Sequence, residues 1–210
     1  MKRSGIPGVR PARVLILGGG AVGSHAAQVA VGMGADVVLM DLKAEVLGRL
    51  DLVYRGRLKT VFSTAHALEE ELAGADLVIG AVLVAGAKAP RLITRQHLRR
   101  MQPGAVIVDV AIDQGGCCET SRPTSHQDPT FVEEGVVHYC VTNMPGAVPR
   151  TSTLGLTNAT LPYLLKLADH GLQALRGDPA LALGLNLSGG YIRHRAVAAA
   201  LGKPVAPFAA

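Results

Sequence analysis

Apolar runs alternate with segments of helical periodicity through roughly the first 150 residues of the chain. Six runs predict strands, and most are apolar throughout, as expected for strands buried on both faces of a sheet: Arg13–Leu17, Asp36–Met40, Leu58–Phe62, Asp76–Val82, Ala105–Val110 and Val136–Val141. Four helices are predicted between them: Ala21–Met33, Ala44–Val53, Ala65–Ala73 and Arg95–Met101. This order predicts the α/β fold class, as a Rossmann-type doubly wound parallel sheet of about six strands.

The pattern changes after residue 150, where a helical tail replaces the strands. Thr153–Leu175 predicts one helix, in which Pro162 predicts a kink or a later start. Its apolar stripe is expected to be a core-packing face, at Leu161, Leu164, Leu165, Ala168, Leu172 and Leu175. Asp178–Leu183 and Arg193–Leu201 are weaker helical segments, and no further strand is predicted. We therefore divide the chain into a sheet domain, residues 1–150, and a helical tail, residues 151–210.

A glycine-rich turn, Gly18 to Gly23, lies between the first predicted strand and the first helix. Gly18 would permit the tight turn, Gly20 would let the backbone approach a pyrophosphate, and Gly23 would let the helix pack on the strand. Asp41 ends the second strand, where a carboxylate can accept hydrogen bonds from adenosine ribose hydroxyls and would repel a 2′-phosphate. The pattern predicts a dinucleotide-binding domain that favours NAD over NADP, although a tight turn with a solvated acid is the alternative.

Ligands of a doubly wound sheet bind at the carboxyl ends of its strands. The residues that follow the six predicted strands are Gly18, Asp41, Ser63, Val82, Ala111 and Thr142. Asp113, Arg122, Asn143 and Met144 are further candidates for the nicotinamide side. Each has a structural alternative, since Asp113 could cap a turn, Arg122 could pair with Glu119, and Asn143 could be a turn residue before Pro145.

Composition and charge limit the other functions that the chain could have. The net charge is +5, but aromatic residues make up only 3% of the chain, so a nucleic-acid-binding surface with stacking side chains is not expected. The basic residues Arg91, Arg95, Arg99 and Arg100 are interpreted mainly as a solvated surface. An odd number of cysteines suits a reducing, cytoplasmic compartment, and Cys117, Cys118 and His138 are interpreted as structural residues. We predict no metal site, no signal peptide and no membrane span.

Four segments of the chain resemble the alanine dehydrogenase family, which is related to the proton-translocating pyridine nucleotide transhydrogenases. They are Leu15–Gly23 with Asp41, Ala81–Pro90, Val108–Glu119 and Tyr139–Thr153. The most specific runs are Ala-Ile-Asp-Gln-Gly-Gly, starting at Ala111, and Asn-Met-Pro-Gly-Ala-Val-Pro, starting at Asn143. The first of these follows the dehydrogenase pattern rather than that of the transhydrogenases.

The resemblance implies reversible, NAD-linked oxidative deamination of L-alanine to pyruvate and ammonia. It places Ala21 and Val22 at the pyrophosphate, Asp41 at the adenine ribose and Ser63 beside the adenine. Asp113 would be the active-site carboxylate, holding the ammonium group or the catalytic water. The nicotinamide half of the pocket would be lined by Val82, Leu83, Val110, Ala111, Ile112 and Asp113, and completed by Arg122, Val141, Thr142, Asn143 and Met144.

Members of that family are much longer, and their substrate domain is built mainly from an N-terminal half. We therefore expect this chain to hold NAD but to be incomplete for catalysis on L-alanine and pyruvate. The tail would normally return to the substrate domain, so its surface should be partly exposed and should favour a homo-oligomer or a substrate-domain partner. The alternatives are a non-enzymatic NAD-binding module, a transhydrogenase-like subunit and the product of a broken reading frame.

Overall fold

The computed structural model describes residues 7–82 and 89–206, and the chain divides into two compact units, Met1–Met144 and Pro145–Ala210. Seven strands of the first unit form one sheet: β1 (Arg13–Leu17), β2 (Asp36–Asp41), β3 (Leu58–Phe62), β4 (Leu77–Gly80), β5 (Val106–Asp109), β6 (Thr130–Glu133) and β7 (Val136–Tyr139). The strand order is β3-β2-β1-β4-β5-β7-β6, and every neighbouring pair is parallel except β6 with β7. This confirms the predicted doubly wound α/β fold, whose strand order reverses between β1 and β4.

Helices connect the strands of the sheet. They are α1 (Ala21–Gly32), α2 (Ala44–Tyr54), α3 (Ala65–Ala73) and the short α4 (Arg95–Leu98), with a 3₁₀ helix at Val110–Gln114 after β5. Alternate residues of the strands enter two separate hydrophobic clusters. In β1, Leu15 and Leu17 belong to one cluster, whereas Val14 and Ile16 belong to the other. The sheet is thus buried on both faces, which explains why its central strands are continuous apolar runs.

The edge strand β6 was missed by the sequence pattern. Its four residues, Thr130 to Glu133, alternate between exposed and half-buried positions, and they pair antiparallel with β7. The segment carries only two apolar residues, Phe131 and Val132, and Val132 is exposed. A strand with so little buried apolar surface gives no clear hydrophobic signal.

The second unit is mainly helical. It contains α5 (Pro149–His170), α6 (Ala174–Gly177), α7 (Pro179–Leu183) and α8 (Arg195–Leu201), with a two-stranded ribbon of β8 (Leu187–Ser188) and β9 (Tyr191–Ile192). The ribbon was not predicted. A 3₁₀ turn, Gly171–Gln173, separates α5 from α6, so the predicted single helix is two.

The expectations for the long helix of the tail were partly wrong. It starts at Pro149, earlier than predicted, and continues through Pro162, which removes one N–H donor without ending the helix. The rest of this unit buries no residue of α5. The predicted stripe is therefore not a core face of its own unit, and only Leu175, in α6, is buried.

Candidate functional site

The glycine turn after β1 is fixed by close backbone contacts. Gly18 has a φ of +98°, its N–H donates to the Met40 carbonyl at 2.8 Å, and a Cβ there would lie 2.7 Å from the Ala81 carbonyl oxygen. A Cβ on Gly23 would lie only 1.8 Å from the Gly18 carbonyl oxygen. Both positions therefore require glycine, and the first turn of α1 packs directly on the loop that begins it.

Asp41 holds the turn in place from the end of β2. Its Oδ2 accepts a hydrogen bond from the Gly19 N–H at 2.7 Å, and its Oδ1 accepts from the Lys43 N–H at 2.8 Å. Its backbone carbonyl accepts from the Ser63 N–H at 3.0 Å, which links the ends of β2 and β3. The carboxylate is thus oriented by its own chain, with lone pairs left for further donors.

A cleft of about 780 Å³ lies at the carboxyl ends of β1 to β4. Seven of the predicted site residues line it: Gly18, Gly20, Ala21, Val22, Asp41, Ser63 and Val82. Gly23 lies behind the turn, against Gly18 and Ile16. Leu83 lies outside the described residues. The structure therefore brings the glycine turn, the acid and the ends of four strands together around one cavity.

Several polar residues of the cleft were missed by the sequence analysis. Lys43, Thr64, Arg91 and His97 all line it. Lys43 could have been found by its position two residues after Asp41, and Thr64 by its place after β3. Arg91 was grouped with the solvated basic residues. His97 gave no signal, because it comes from α4, whose packing beside the cleft depends on tertiary structure.

Val82 lines this cleft, and the other described residues of the predicted nicotinamide side lie beyond its lining. In the 3₁₀ helix after β5, Ala111 and Ile112 are buried, Val110 is half-buried and Asp113 is exposed. After β7, Val141 is buried, Thr142 and Asn143 are exposed and Met144 is half-buried. Ala111 packs in a small cluster with Cys117 and Val82, which connects this region to the cleft wall.

The structural alternatives for three of these residues can now be compared with observed contacts. Asp109, rather than Asp113, caps the turn after β5. The Arg122 guanidinium lies 4.1 Å from the centre of the Phe131 ring, and the Glu119 carboxylate accepts from the Arg95 N–H. Asn143 adopts a φ of +54°, and its carbonyl accepts a hydrogen bond from His126 Nε2 at 3.1 Å.

Asp109 is a buried carboxylate that the sequence analysis did not single out. It has no exposed surface, and four donors surround it. Its Oδ1 accepts from the Ala111 N–H at 3.1 Å. Its Oδ2 accepts from the N–H groups of Cys117 at 2.9 Å and Cys118 at 3.2 Å, and from the Ser121 hydroxyl at 2.6 Å. The sequence feature that could have indicated this residue is an acidic side chain directly after four apolar residues of the fifth predicted strand.

His138 has the structural role that was predicted for it. Its Nδ1–H donates to the Val136 carbonyl at 3.0 Å, so its Nε2 accepts from the Thr120 hydroxyl at 2.9 Å. Its ring stacks on Phe131. Burial lowers the pKa of His138 below its usual 6.5, because the charged form is poorly solvated there. The histidine is therefore neutral and fully hydrogen-bonded in the core.

The three cysteines are free and buried, which confirms that Cys117 and Cys118 fill the core. Burial is the main cause that raises the pKa of each thiol, and the charge of Asp109 raises that of Cys117 further. A nucleophilic cysteine needs the opposite, a stabilised thiolate.

The basic residues near α4 are paired on the surface. Arg95 contacts Glu133 and Glu134, and Arg99 lies 3.2 Å from Glu134. Arg100 lies 3.0 Å from Glu69. Within the described part of the chain, no cluster of three metal-binding side chains occurs. No described helix is long and apolar enough to cross a membrane.

Comparison with known proteins agrees with this geometry. Residues 1–195 match the model of the C-terminal domain of alanine dehydrogenase and PNT. An alanine dehydrogenase of Halomonas elongata is 61% identical over 94% of this chain and 54% of its own length. A solved L-alanine dehydrogenase aligns with a TM-score of 0.87 at 51% identity, covering 95% of this chain and 55% of its own.

A solved transhydrogenase from Sinorhizobium meliloti aligns less closely, with a TM-score of 0.72 at 26% identity over 90% of this chain and 51% of its own. The chain spans about half the length of the curated relatives it matches. The glycine turn, the strand order and these similarities agree, and the chain belongs to the family of the alanine dehydrogenase and pyridine nucleotide transhydrogenase C-terminal domain, whose cofactor is a pyridine nucleotide.

Proposed function

We propose that the cleft binds NAD with its pyrophosphate over the N-terminus of α1. The observation that carries this proposal is the open first turn of that helix, which lines the cleft. Gly20 is the N-cap residue of α1 and provides no side-chain hydrogen bond to the helix, and a Cβ there would meet nothing within 4 Å. Ala21 and Val22 follow it along the cleft. Uncapped N–H groups and the positive end of the helix dipole favour an anion at this place.

The adenosine half would lie on Asp41 and Ser63. The Asp41 carboxylate is held by two backbone N–H groups, so it is pre-oriented to accept hydrogen bonds from ribose hydroxyls. A 2′-phosphate at the same place would meet this negative charge at close range. Lys43 and Arg91 also line the cleft, but both are exposed, so solvent and salt weaken their attraction for a phosphate. We therefore infer a preference for NAD over NADP.

The nicotinamide half would extend toward the ends of β5 and β7. We assign it Val82, Leu83, Val110 to Asp113, Arg122 and Val141 to Met144. The support is topological: β5 neighbours β4 and β7 neighbours β5, so these residues follow the carboxyl ends of adjacent parallel strands. Ligands of doubly wound sheets cross the switch point to this side.

The reaction we propose is that of the similar alanine dehydrogenases, in which L-alanine, NAD⁺ and water give pyruvate, ammonium, NADH and a proton. NAD supplies the chemistry of a hydride acceptor. Asp113 is exposed at the end of the 3₁₀ helix after β5, where its carboxylate would hold the ammonium group of the substrate or the attacking water. The remaining substrate contacts would come from residues outside this sequence, on the same polypeptide or a partner chain.

Transhydrogenation is the second candidate, favoured by the similarity to the Sinorhizobium meliloti protein. It would require hydride exchange between two nicotinamides and no amino acid. The identity to the alanine dehydrogenases is twice as high, so we propose the dehydrogenase reaction. Assembly into a homo-oligomer and a cytoplasmic location are part of the same proposal, and three free thiols support a reducing compartment.

Calorimetric titration of the chain with NAD and NADP tests the cofactor assignment. We expect one NAD per chain, with weaker NADP binding and weaker NAD binding in Asp41→Ala. Asp51→Ala, which removes the same charge from an exposed position of α2, should bind NAD like the wild type. Equal affinity for NAD in Asp41→Ala would overturn the assignment of the ribose.

A turnover assay tests the reaction. When a substrate-domain half from a homologue is supplied, L-alanine should drive NADH formation, and Asp113→Asn should abolish turnover while NAD still binds. Undiminished turnover in Asp113→Asn would contradict the role of this carboxylate. Hydride exchange between two nicotinamides, without amino-acid turnover, would favour the transhydrogenase alternative.

A further inference from the structure

The strongest buried polar feature outside the cleft is Asp109, at the end of β5. All four of its hydrogen-bonding partners are donors, three of them backbone N–H groups. A carboxylate offers only acceptors, so it matches this set completely. A buried charge is retained at such a place only when it is fully hydrogen-bonded.

These donors come from both ends of one loop. Ala111 lies at its start, and Cys117, Cys118 and Ser121 lie at its end. Asp113 lies in the part of the loop between these anchor points. A Cβ on Gly116 would lie 2.8 Å from Asp109 Oδ2, so the loop wraps closely around the carboxylate. The single side chain therefore sets the path of the segment that carries Asp113.

The same loop supports the wall of the cleft. The Cys117 carbonyl accepts from the N–H groups of Leu92 at 2.8 Å and Ile93 at 3.1 Å, and the Gln114 carbonyl accepts from the Ala89 N–H at 2.9 Å. Leu92 lines the cleft. Displacement of Cys117 would therefore move both the loop of Asp113 and one side of the cavity.

We propose that Asp109 is a positioning residue for the nicotinamide half of the cofactor site. It acts through the loop and the cleft wall and contacts neither cofactor nor substrate, and this inference rests on the proposed binding of NAD. Asparagine has nearly the same shape, but its NH₂ group would face backbone N–H donors and leave at least one of them without an acceptor. The loop would then shift, whereas the glycine turn and Asp41 would keep their own hydrogen bonds.

The test compares the affinities of the full chain for NAD and for ADP, since ADP reports only the adenosine half. Asp109→Asn should weaken NAD binding about tenfold or more and change ADP binding by less than about twofold. The matched control is Asp76→Asn. Its carboxylate also accepts a backbone N–H, from Arg13 at 2.9 Å, but at the amino end of the sheet. The control should leave the ratio of the two affinities unchanged.

An unchanged ratio in Asp109→Asn would overturn the inference, because a merely structural role would weaken both ligands together. If this variant does not fold, Ser121→Ala decides instead, since it removes only the hydroxyl donor at 2.6 Å. It should lower NAD affinity more than ADP affinity, and equal effects would overturn the inference. A wild-type chain that binds neither ligand would overturn the proposed function, and the inference would fall with it.

Discussion

Replacing Asp41 with alanine should destabilise the protein even in the absence of cofactor. The carboxylate accepts two short hydrogen bonds, from Gly19 and Lys43, and these fix the turn against β2. A hydrogen bond to a charged group contributes about 1.5–3 kcal/mol. Asp41 is half-buried, so in the variant water can hydrogen-bond to part of the freed backbone N–H groups. We therefore expect the free energy of unfolding to fall by about 1–3 kcal/mol. For a chain of this size, each kcal/mol lowers Tm by about 2–4 °C, so Tm should fall by about 2–12 °C.

Thermal unfolding of the cofactor-free protein, followed by circular dichroism, measures this effect. Asp51→Ala serves as the control for charge, since it lies exposed on α2 and should change Tm little. Calorimetry on the same samples then gives the loss of NAD affinity. An unchanged Tm in Asp41→Ala would refute the reasoning, because it would mean that the carboxylate does not hold the turn.

Three further predictions follow from close packing and burial. Gly23→Ala should unfold the first unit or abolish NAD binding, because its Cβ would lie 1.8 Å from a backbone oxygen. Gly32→Ala, at the end of the same helix with nothing within 4 Å, should keep both the fold and NAD binding, and equal behaviour of the two variants would contradict this packing. The free energy of unfolding, measured in urea, should fall as the pH drops below 6.5, because His138 takes up a proton in the unfolded chain while the buried ring, with its lowered pKa, does not. In His138→Gln the free energy of unfolding should fall less steeply with pH, and an identical slope would exclude His138 as the cause. A thiol reagent should leave the folded protein unmodified at pH 8 and react fully after unfolding, and rapid native reaction would contradict the burial of Cys117, Cys118 and Cys140.

The cleft was predictable where its parts are close in sequence. A turn, a helix start and an acid at the end of the next strand are encoded by local spacing, and the structure places Gly18, Gly20 and Asp41 around one cavity. What the spacing did not indicate is that Asp41 also holds the turn, because a hydrogen bond to Gly19 depends on how β1 and β2 pair.

Other features depended on tertiary structure and were missed. The strand β6 buries too little apolar surface to give a pattern, and its pairing with β7 comes from a hairpin. The stripe of α5 had the periodicity of a core face, but periodicity does not show whether a partner element exists to cover it. The role that we propose for Asp109 depends on four donors that a folded loop brings together, whereas the sequence shows only an acid after four apolar residues.

The central claim is that NAD lies across the carboxyl edge of the sheet, from Asp41 to the loop of Asp113. A crystal structure of this protein with NAD tests it most directly. The account predicts the pyrophosphate at the N–H groups of Ala21 and Val22, the adenine ribose on Asp41, and the nicotinamide toward Asp113. A cofactor bound in the opposite direction, or outside the cleft, would contradict the account.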